Sequence, residues 1–141
     1  MRIIKFKAKT LKTGEWIAGD LVCSNGKIFI KHEDEPDKVF PLLCTKVDPD
    51  TVCEFTGFLD KNGKEIYEGD IIKVAGLGNK IEVRFVRGGF AFLWNGDLDD
   101  EAAINAPTQK WAEVIGNIHE PEWKHHGNYP TRLNNIRKNK L

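Results

Sequence analysis

The chain has a single serine, a single methionine, three cysteines and no long apolar run. The serine, Ser24, sits beside Asn25-Gly26 in a turn pattern. It lacks a G-x-S-x-G surround and a nearby His-Asp pairing, which sets aside serine-hydrolase chemistry. Cys23, Cys44 and Cys53 are odd in number and widely spaced, with no C-x-x-C pair, and neither Cys44 nor Cys53 precedes a cysteine-hydrolase motif. No zinc site is expected on that spacing, and the thiols read as small, reduced, largely buried apolar groups. No apolar run approaches the roughly 20 residues that span a bilayer. The opening MRIIKFKAKT alternates polar and apolar residues and has no h-region with a cleavage site. It is not read as a signal peptide, and a cytoplasmic location is expected. Gly76-Leu77-Gly78 falls between two strand-like runs, where a dinucleotide fingerprint would need G-x-G-x-x-G opening a helix, so a hairpin loop is expected.

The formal charge is zero, but it is unevenly placed. From residue 124 onward there are five basic residues and no acid: Lys124, Arg132, Arg137, Lys138 and Lys140. The preceding 123 residues therefore carry −5. A mildly acidic body with a basic tail keeps nucleic acid among the possible partners.

Short strand-like runs separated by turn signals fill the rest. Residues 2–8 alternate, with Ile4 and Phe6 on one face and Lys5 and Lys7 on the other. A strand over 15–23, interrupted at Gly19-Asp20, meets a strand over 27–31 across Asn25-Gly26. His32 to Asp37 is expected to be a solvated loop, and Val39 to Val47 is expected to be extended with Pro41 at an edge position. Asn62-Gly63 predicts a two-residue type I′ turn at the centre of a second hairpin. Runs at 71–74, 81–86 and 90–94 make a meander, the last pair joined through Arg87-Gly88-Gly89. Asp99-Asp100-Glu101 before Ala102-Ala103-Ile104 suggests a short helix within the long connection 95–109. A closing strand over 111–118 carries a bulge near Gly116.

The central stretch, Val47-Asp48-Pro49, Thr51-Val52, Phe55-Thr56-Gly57, Asp60, Asn62-Gly63 and Ile66-Tyr67-Glu68-Gly69-Asp70-Ile71, resembles the signature of the YopX family of phage and prophage proteins. Arg2, Ile4, Lys5 and Phe6 resemble that family's opening strand, and Val114, Gly116-Asn117-Ile118 and Glu120 its closing one. The resemblance covers residues 1 to about 122. Two positions depart from it: Lys9 where the family often has an aromatic residue, and Cys53-Glu54 where a Gly-Gln pair is common. It implies a fold and a phage or prophage setting, and it supplies no reaction.

Candidate sites are weighed against plainer roles. Asp97, Asp99, Asp100 and Glu101 lack EF-hand spacing and read as a solvated loop. His119, Glu120, Glu122, His125 and His126 sit in a segment with little support for a fixed ligand set, and read as solvated. Asp60, Glu65, Glu68 and Asp70 cluster around the central hairpin. Their expected role is turn structure, Asp60 bonding amides around Asn62-Gly63 and Asp70 bonding amides at the Gly69 corner. Phe55, Phe85, Phe90 or Phe92, and Trp111 are expected in the core. Trp94 and Trp123 sit at element ends, where a ring can stack a base or anchor a partner. If Ala91 and Leu93 face the core, then Phe90, Phe92 and Trp94 form a platform. If the aromatic face is core, the commoner arrangement, nothing is left over.

The expectation is an all-β protein with an N-terminal β lobe (1–54), an SH3-like open barrel (55–122), and a basic, disordered or frayed tail (123–141). It is expected to be non-enzymatic, with no catalytic residue, cofactor or metal, no membrane contact and no small-molecule substrate. Protein partners or self-association lead. Nucleic acid, contacted through Trp94, Trp123, Lys124, Arg132, Arg137, Lys138 and Lys140, is the alternative.

Overall fold

A computed structural model describes residues 1–32, 44–76, 81–94, 101–103 and 110–124. The expected all-β architecture is what it shows: two antiparallel sheets and one short helix among the described residues. The first sheet takes β1 (Phe6–Lys9), β2 (Trp16–Ser24), β3 (Lys27–His32), β4 (Cys44–Lys46), β5 (Cys53–Leu59) and β6 (Glu65–Tyr67), in the order β4-β3-β2-β1-β5-β6. The second takes β7 (Asp70–Val74), β8 (Ile81–Val86), β9 (Gly89–Trp94), β10 (Glu101–Ala103) and β11 (Ala112–Asn117), in the order β10-β9-β8-β7-β11. A helical turn, α1 (Pro121–Lys124), follows.

Local sequence explains most junctions. Asn25 and Gly26 both have positive φ, 51° and 73°, between the paired residues Ser24 and Lys27. That is the type I′ geometry for which Asn-Gly carries the least penalty. Arg87-Gly88 repeats it between Val86 and Gly89 with φ of 50° and 82°. Asp48 accepts a bond from the Asp50 amide and caps a 3-10 turn, Pro49–Thr51, whose proline sits where a missing N–H costs nothing. Thr51 Oγ1 then accepts from the Lys9 amide, fastening this connection to the end of β1.

Several expectations are corrected. Asn62-Gly63 is not a type I′ turn, because only Gly63 has positive φ, 78°. The turn begins at Asp60, whose carbonyl accepts from Gly63 N at 3.0 Å and whose Oδ1 accepts from Asn62 N and Lys64 N. Asp at the first and Gly at the fourth position is the type I pattern, and the Asp60 carboxylate selects it. The 101–103 segment is strand β10, paired with Leu93, Phe92 and Ala91 of β9, where a helix was expected. Partnering along an open edge overrides the weak helix-start signal there. Strand β2 runs unbroken through Gly19-Asp20, since β1 and β3 flank it on both sides. The bulge near Gly116 is present: the β7–β11 register shifts between Val114 and Gly116.

The hairpin β5–β6 is shared by both halves. Its hydrogen bonds place it in the first sheet, and β5 straddles position 55. Yet Ile66 sinks into the core of the second sheet with Ile72, Ile81, Val83, Phe92, Ala112 and Val114. The chain crosses between sheets at Gly69, with φ of 82°. Gly69 N donates to Val83 O at 2.7 Å and its carbonyl accepts from Ile118 N at 2.9 Å. A Cβ there would meet Ile118 Cγ1 at 3.2 Å, so both conformation and space call for glycine.

The cysteines are not uniformly buried. Cys53 is enclosed, Cys44 is half-buried, and Cys23, near the Asn25-Gly26 tip of β2, is exposed. Burial pushes the Cys53 thiol up to about 12, against the opposing pull of the Lys7 charge. A thiol-specific colorimetric reagent is therefore expected to label Cys23 quickly in the native protein and Cys53 only after denaturation. Fast native labelling of Cys53 would contradict this packing.

Candidate functional site

The chain entering and forming β1 carries a lysine at every second position, which places Lys5, just before the strand, and Lys7 and Lys9 within it on one face. Each ammonium meets a carboxylate and an aromatic ring. Lys5 pairs with Glu65 and lies over the Phe55 ring. Lys7 Nζ bonds Asp70 Oδ1 at 2.8 Å and lies 4.6 Å from the Tyr67 centroid and 5.0 Å from that of Trp16. Lys9 Nζ bonds the His119 carbonyl at 2.9 Å and Glu120 Oε2 at 3.3 Å, again beneath Trp16. Cation–π contact strengthens as water is excluded, and all three side chains are mostly buried.

Asp70 is the centre of this seam. It is 1% exposed and sits at the start of β7. Beyond Lys7, its Oδ1 accepts from Asn117 Nδ2 at 2.9 Å and its Oδ2 from the Tyr67 amide at 2.8 Å. One carboxylate thus joins β1, the β6 end, β7 and β11. The amide bond is the one expected at the Gly69 corner. The ion pair across the sheets is what sequence reading missed. Its signal was the Lys5-Lys7-Lys9 alternation set against the acids of the central stretch.

The flanking acids are held ionised. Burial pushes the Glu65 carboxyl up, but bonds from Lys5 and Tyr67 outweigh it and hold it below the usual range. The Trp16 indole N–H, foremost, holds Glu120 low with help from Lys9 and against burial. Lys7–Asp70 ties the first sheet to the second and Lys9–Glu120 ties it to the segment after β11, while Lys5–Glu65 fastens the start of β1 to β6 within the first sheet.

Asp60 makes a second tie. Its Oδ2 accepts from Val114 N at 3.0 Å, and Lys61 N donates to Ala112 O at 2.9 Å. The hairpin tip therefore covers the outer edge of β11, an edge that would otherwise offer unpaired backbone groups.

The residues expected to contact a partner are placed as follows. Trp94 is half-buried and packs with Phe90 against the core around Phe92, so the aromatic face of β9 is the core face. Trp123 lies against Gly116, where a Cβ would stand 1.9 Å from its indole nitrogen. Lys124 ends α1. Arg132, Arg137, Lys138 and Lys140 lie outside the described residues, as do Asp97, Asp99, Asp100, His125 and His126. His119 and Glu120 belong to the seam, the His119 ring tilted against Trp16 at 6.3 Å.

Two rings expected in the core are exposed instead. Phe85 makes an edge-to-face contact with Phe90 at 5.2 Å near the β8–β9 tip and stays 40% exposed. Trp111 is 63% exposed on the turn that leads into β11. Within β11 itself, Glu113 pairs with Lys61 at 3.2 Å, and Ile115, at the bulge, is also exposed. Leu59, two residues before Lys61, is exposed too. Alternation explains the pattern: Ala112 and Val114 take the inward positions, which turns Trp111 and Glu113 outward.

With this geometry in view, comparison with known proteins is specific. A family model described as YopX protein matches residues 5–122. Among solved structures, the chain is similar to a crystal structure of protein EF1440 from Enterococcus faecalis. The two share 26% sequence identity at a TM-score of 0.54, over 86% of this chain and 97% of that one. No curated protein matches the chain.

Proposed function

The chain belongs to the YopX family, whose model spans every strand of both sheets, and from that premise we propose a non-enzymatic accessory protein of the phage or prophage setting that works through protein–protein contacts. In this reading it acts in the host cytoplasm, and the open five-stranded sheet is its SH3-like element. The observation that carries the reading is Trp111, held 63% exposed at the head of an ordered strand. An exposed indole followed along the strand by the Lys61–Glu113 pair and then by exposed Ile115 has the composition of an interface centre with a polar border. The ties between the sheets support the reading, because a surface on cross-braced elements loses less freedom on binding than one on an unbraced segment.

The test is affinity capture from prophage-induced cells with the native chain and with Trp111→Ser, half of each sample treated with nuclease. A protein that co-purifies with the native chain after nuclease, and is lost with Trp111→Ser, is the expected result. A hot-spot tryptophan contributes about 2 kcal/mol or more to binding. The same substitution at an exposed site should leave folding stability within about 0.5 kcal/mol of the native value. Capture that is unchanged by Trp111→Ser removes this surface from the reading. Retention that disappears with nuclease transfers the role to nucleic acid, held by the acid-free run of Lys124, Arg132, Arg137, Lys138 and Lys140.

A further inference from the structure

Two Asn-Gly pairs lie within the described residues, Asn25-Gly26 and Asn62-Gly63, and their backbones are held very differently. We propose that Asn25 is a site of spontaneous covalent modification, losing its side-chain amide through attack by the Gly26 backbone nitrogen, while Asn62 is protected.

The step balances without an oxidant or co-reactant beyond water. The Gly26 nitrogen forms a bond to Asn25 Cγ, the Cγ–Nδ2 bond breaks, and ammonia leaves with the proton that the Gly26 amide gives up. The resulting five-membered imide is opened by water at either carbonyl, giving aspartate or isoaspartate. Glycine in second place favours the attack because no Cβ crowds the approaching nitrogen.

Open space does not separate the two sites, since nothing lies within 4 Å of a Cβ built on either Gly26 or Gly63. The hydrogen bonds do. At the second site the attacking nitrogen itself is engaged, Gly63 N donating to Asp60 O at 3.0 Å. The flanking amides of Asn62 and Lys64 donate to Asp60 Oδ1 at 2.8 and 2.9 Å, and Asp60 is anchored in turn to β11 through Val114. To reach the reactive geometry, Asn62 must break this clamp. At the first site Ser24, Asn25, Gly26 and Lys27 are all exposed, and among the described residues no acceptor holds the Gly26 amide. The hairpin tip is closed only by the Ser24–Lys27 pair, so its two central residues can reorient without loss of a tertiary contact.

The consequence is local and directional. Conversion adds a negative charge beside Lys27. The isoaspartate product also adds a backbone carbon to a two-residue loop whose closure depends on its length.

The experiment holds the full chain, folded, at mildly alkaline pH and physiological temperature. Samples over time are mapped by peptide mass spectrometry, with isoaspartate detected by enzymatic methylation of its free carboxyl. A parallel sample is kept in denaturant. In the folded chain the Asn25 peptide should convert at least about tenfold faster than the Asn62 peptide, because the latter must first lose several hydrogen bonds. In denaturant the two rates should converge. Equal rates in the folded chain would overturn the proposal, and so would an Asn25 peptide slowed by folding as strongly as the Asn62 peptide.

Discussion

Replacing Asp70 with alanine is expected to lower the unfolding free energy by about 3 kcal/mol, the lower end of the range for a broken buried ion pair. The side chain is 1% exposed and accepts from Lys7, Asn117 and the Tyr67 amide. Removing it strands an ammonium, a carboxamide and a backbone N–H at the junction of the two sheets. Lys7 keeps 18% of its side chain exposed, so its charge can recover part of its hydration. That is why the lower end of the range applies. Asp70→Asn keeps the shape and one acceptor but not the charge, and should fall between alanine and the native chain. Lys7→Met removes the stranded charge while preserving contact with the Trp16 and Tyr67 rings, since a thioether packs well against aromatics. Combined with Asp70→Asn it should recover part of the loss, as a coupling of about 0.5–3 kcal/mol in a double-mutant cycle. Equilibrium denaturation of the native chain, the three single variants and the double variant is the measurement. An Asp70→Ala protein as stable as the native chain would mean the seam does not hold the sheets together.

How much of this was legible depended on the range of the interaction. Short-range signals read well. The Asn25-Gly26 turn, the Gly116 bulge and the strand runs at 71–74, 81–86 and 90–94 all follow from residue type and period-two alternation. Asp60 and Asp70 were also readable as acids serving turns, because the amides they bond lie two to four residues away. One local signal misled, since Asp60 turns Asn62-Gly63 into a type I turn, and the other failures were set by partners distant in sequence. Lys7 and Asp70 are 63 positions apart, and Asp60 and Val114 are 54 apart. The lysine alternation and the central acids signal groups that need partners, but no local pattern matches one to the other across such distances. Glu101–Ala103 carries a weak helix signal, yet β9 offers it an edge.

The exposed aromatics teach the same lesson from the other side. Trp111 and Phe85 were expected inside because large rings usually are. Within β11 the inward positions belong to Ala112 and Val114, and the same alternation turns the ring one residue earlier outward. In β9, by contrast, the aromatic face did prove to be the core face, which draws Trp94 inward and leaves Ala91 and Leu93 buried on the opposite side. A strand covered on both faces cannot be told from one covered on a single face by alternation alone.

Asp60→Ala should be nearly as costly as the loss of Asp70, at about 2–4 kcal/mol, because three amide donors lose their acceptor at once and the Val114 N–H is left buried. The effect should also depend on pH. Burial alone would push the Asp60 carboxyl up, but the Val114, Lys64 and Asn62 amides, together with the Lys64 charge, outweigh it and hold it below the usual range. A carboxyl lowered on folding binds its proton more readily in the unfolded chain. Its contribution is therefore fully present above the unfolded value, about 3.9, and is lost as pH falls through the lower folded value. The stability gap between native protein and Asp60→Ala should stay level from neutrality down to that region and then narrow on further acidification. Asp60→Asn separates the two roles of the side chain. Its single carbonyl oxygen can accept from the turn amides or from Val114, but not both, so the variant should keep about half the native advantage and show no narrowing in acid. Denaturant titrations of the three proteins across an acid series make the comparison. A gap that widens on acidification would reverse the sign of the Asp60 shift, and with it the account of how the hairpin tip is tied to β11.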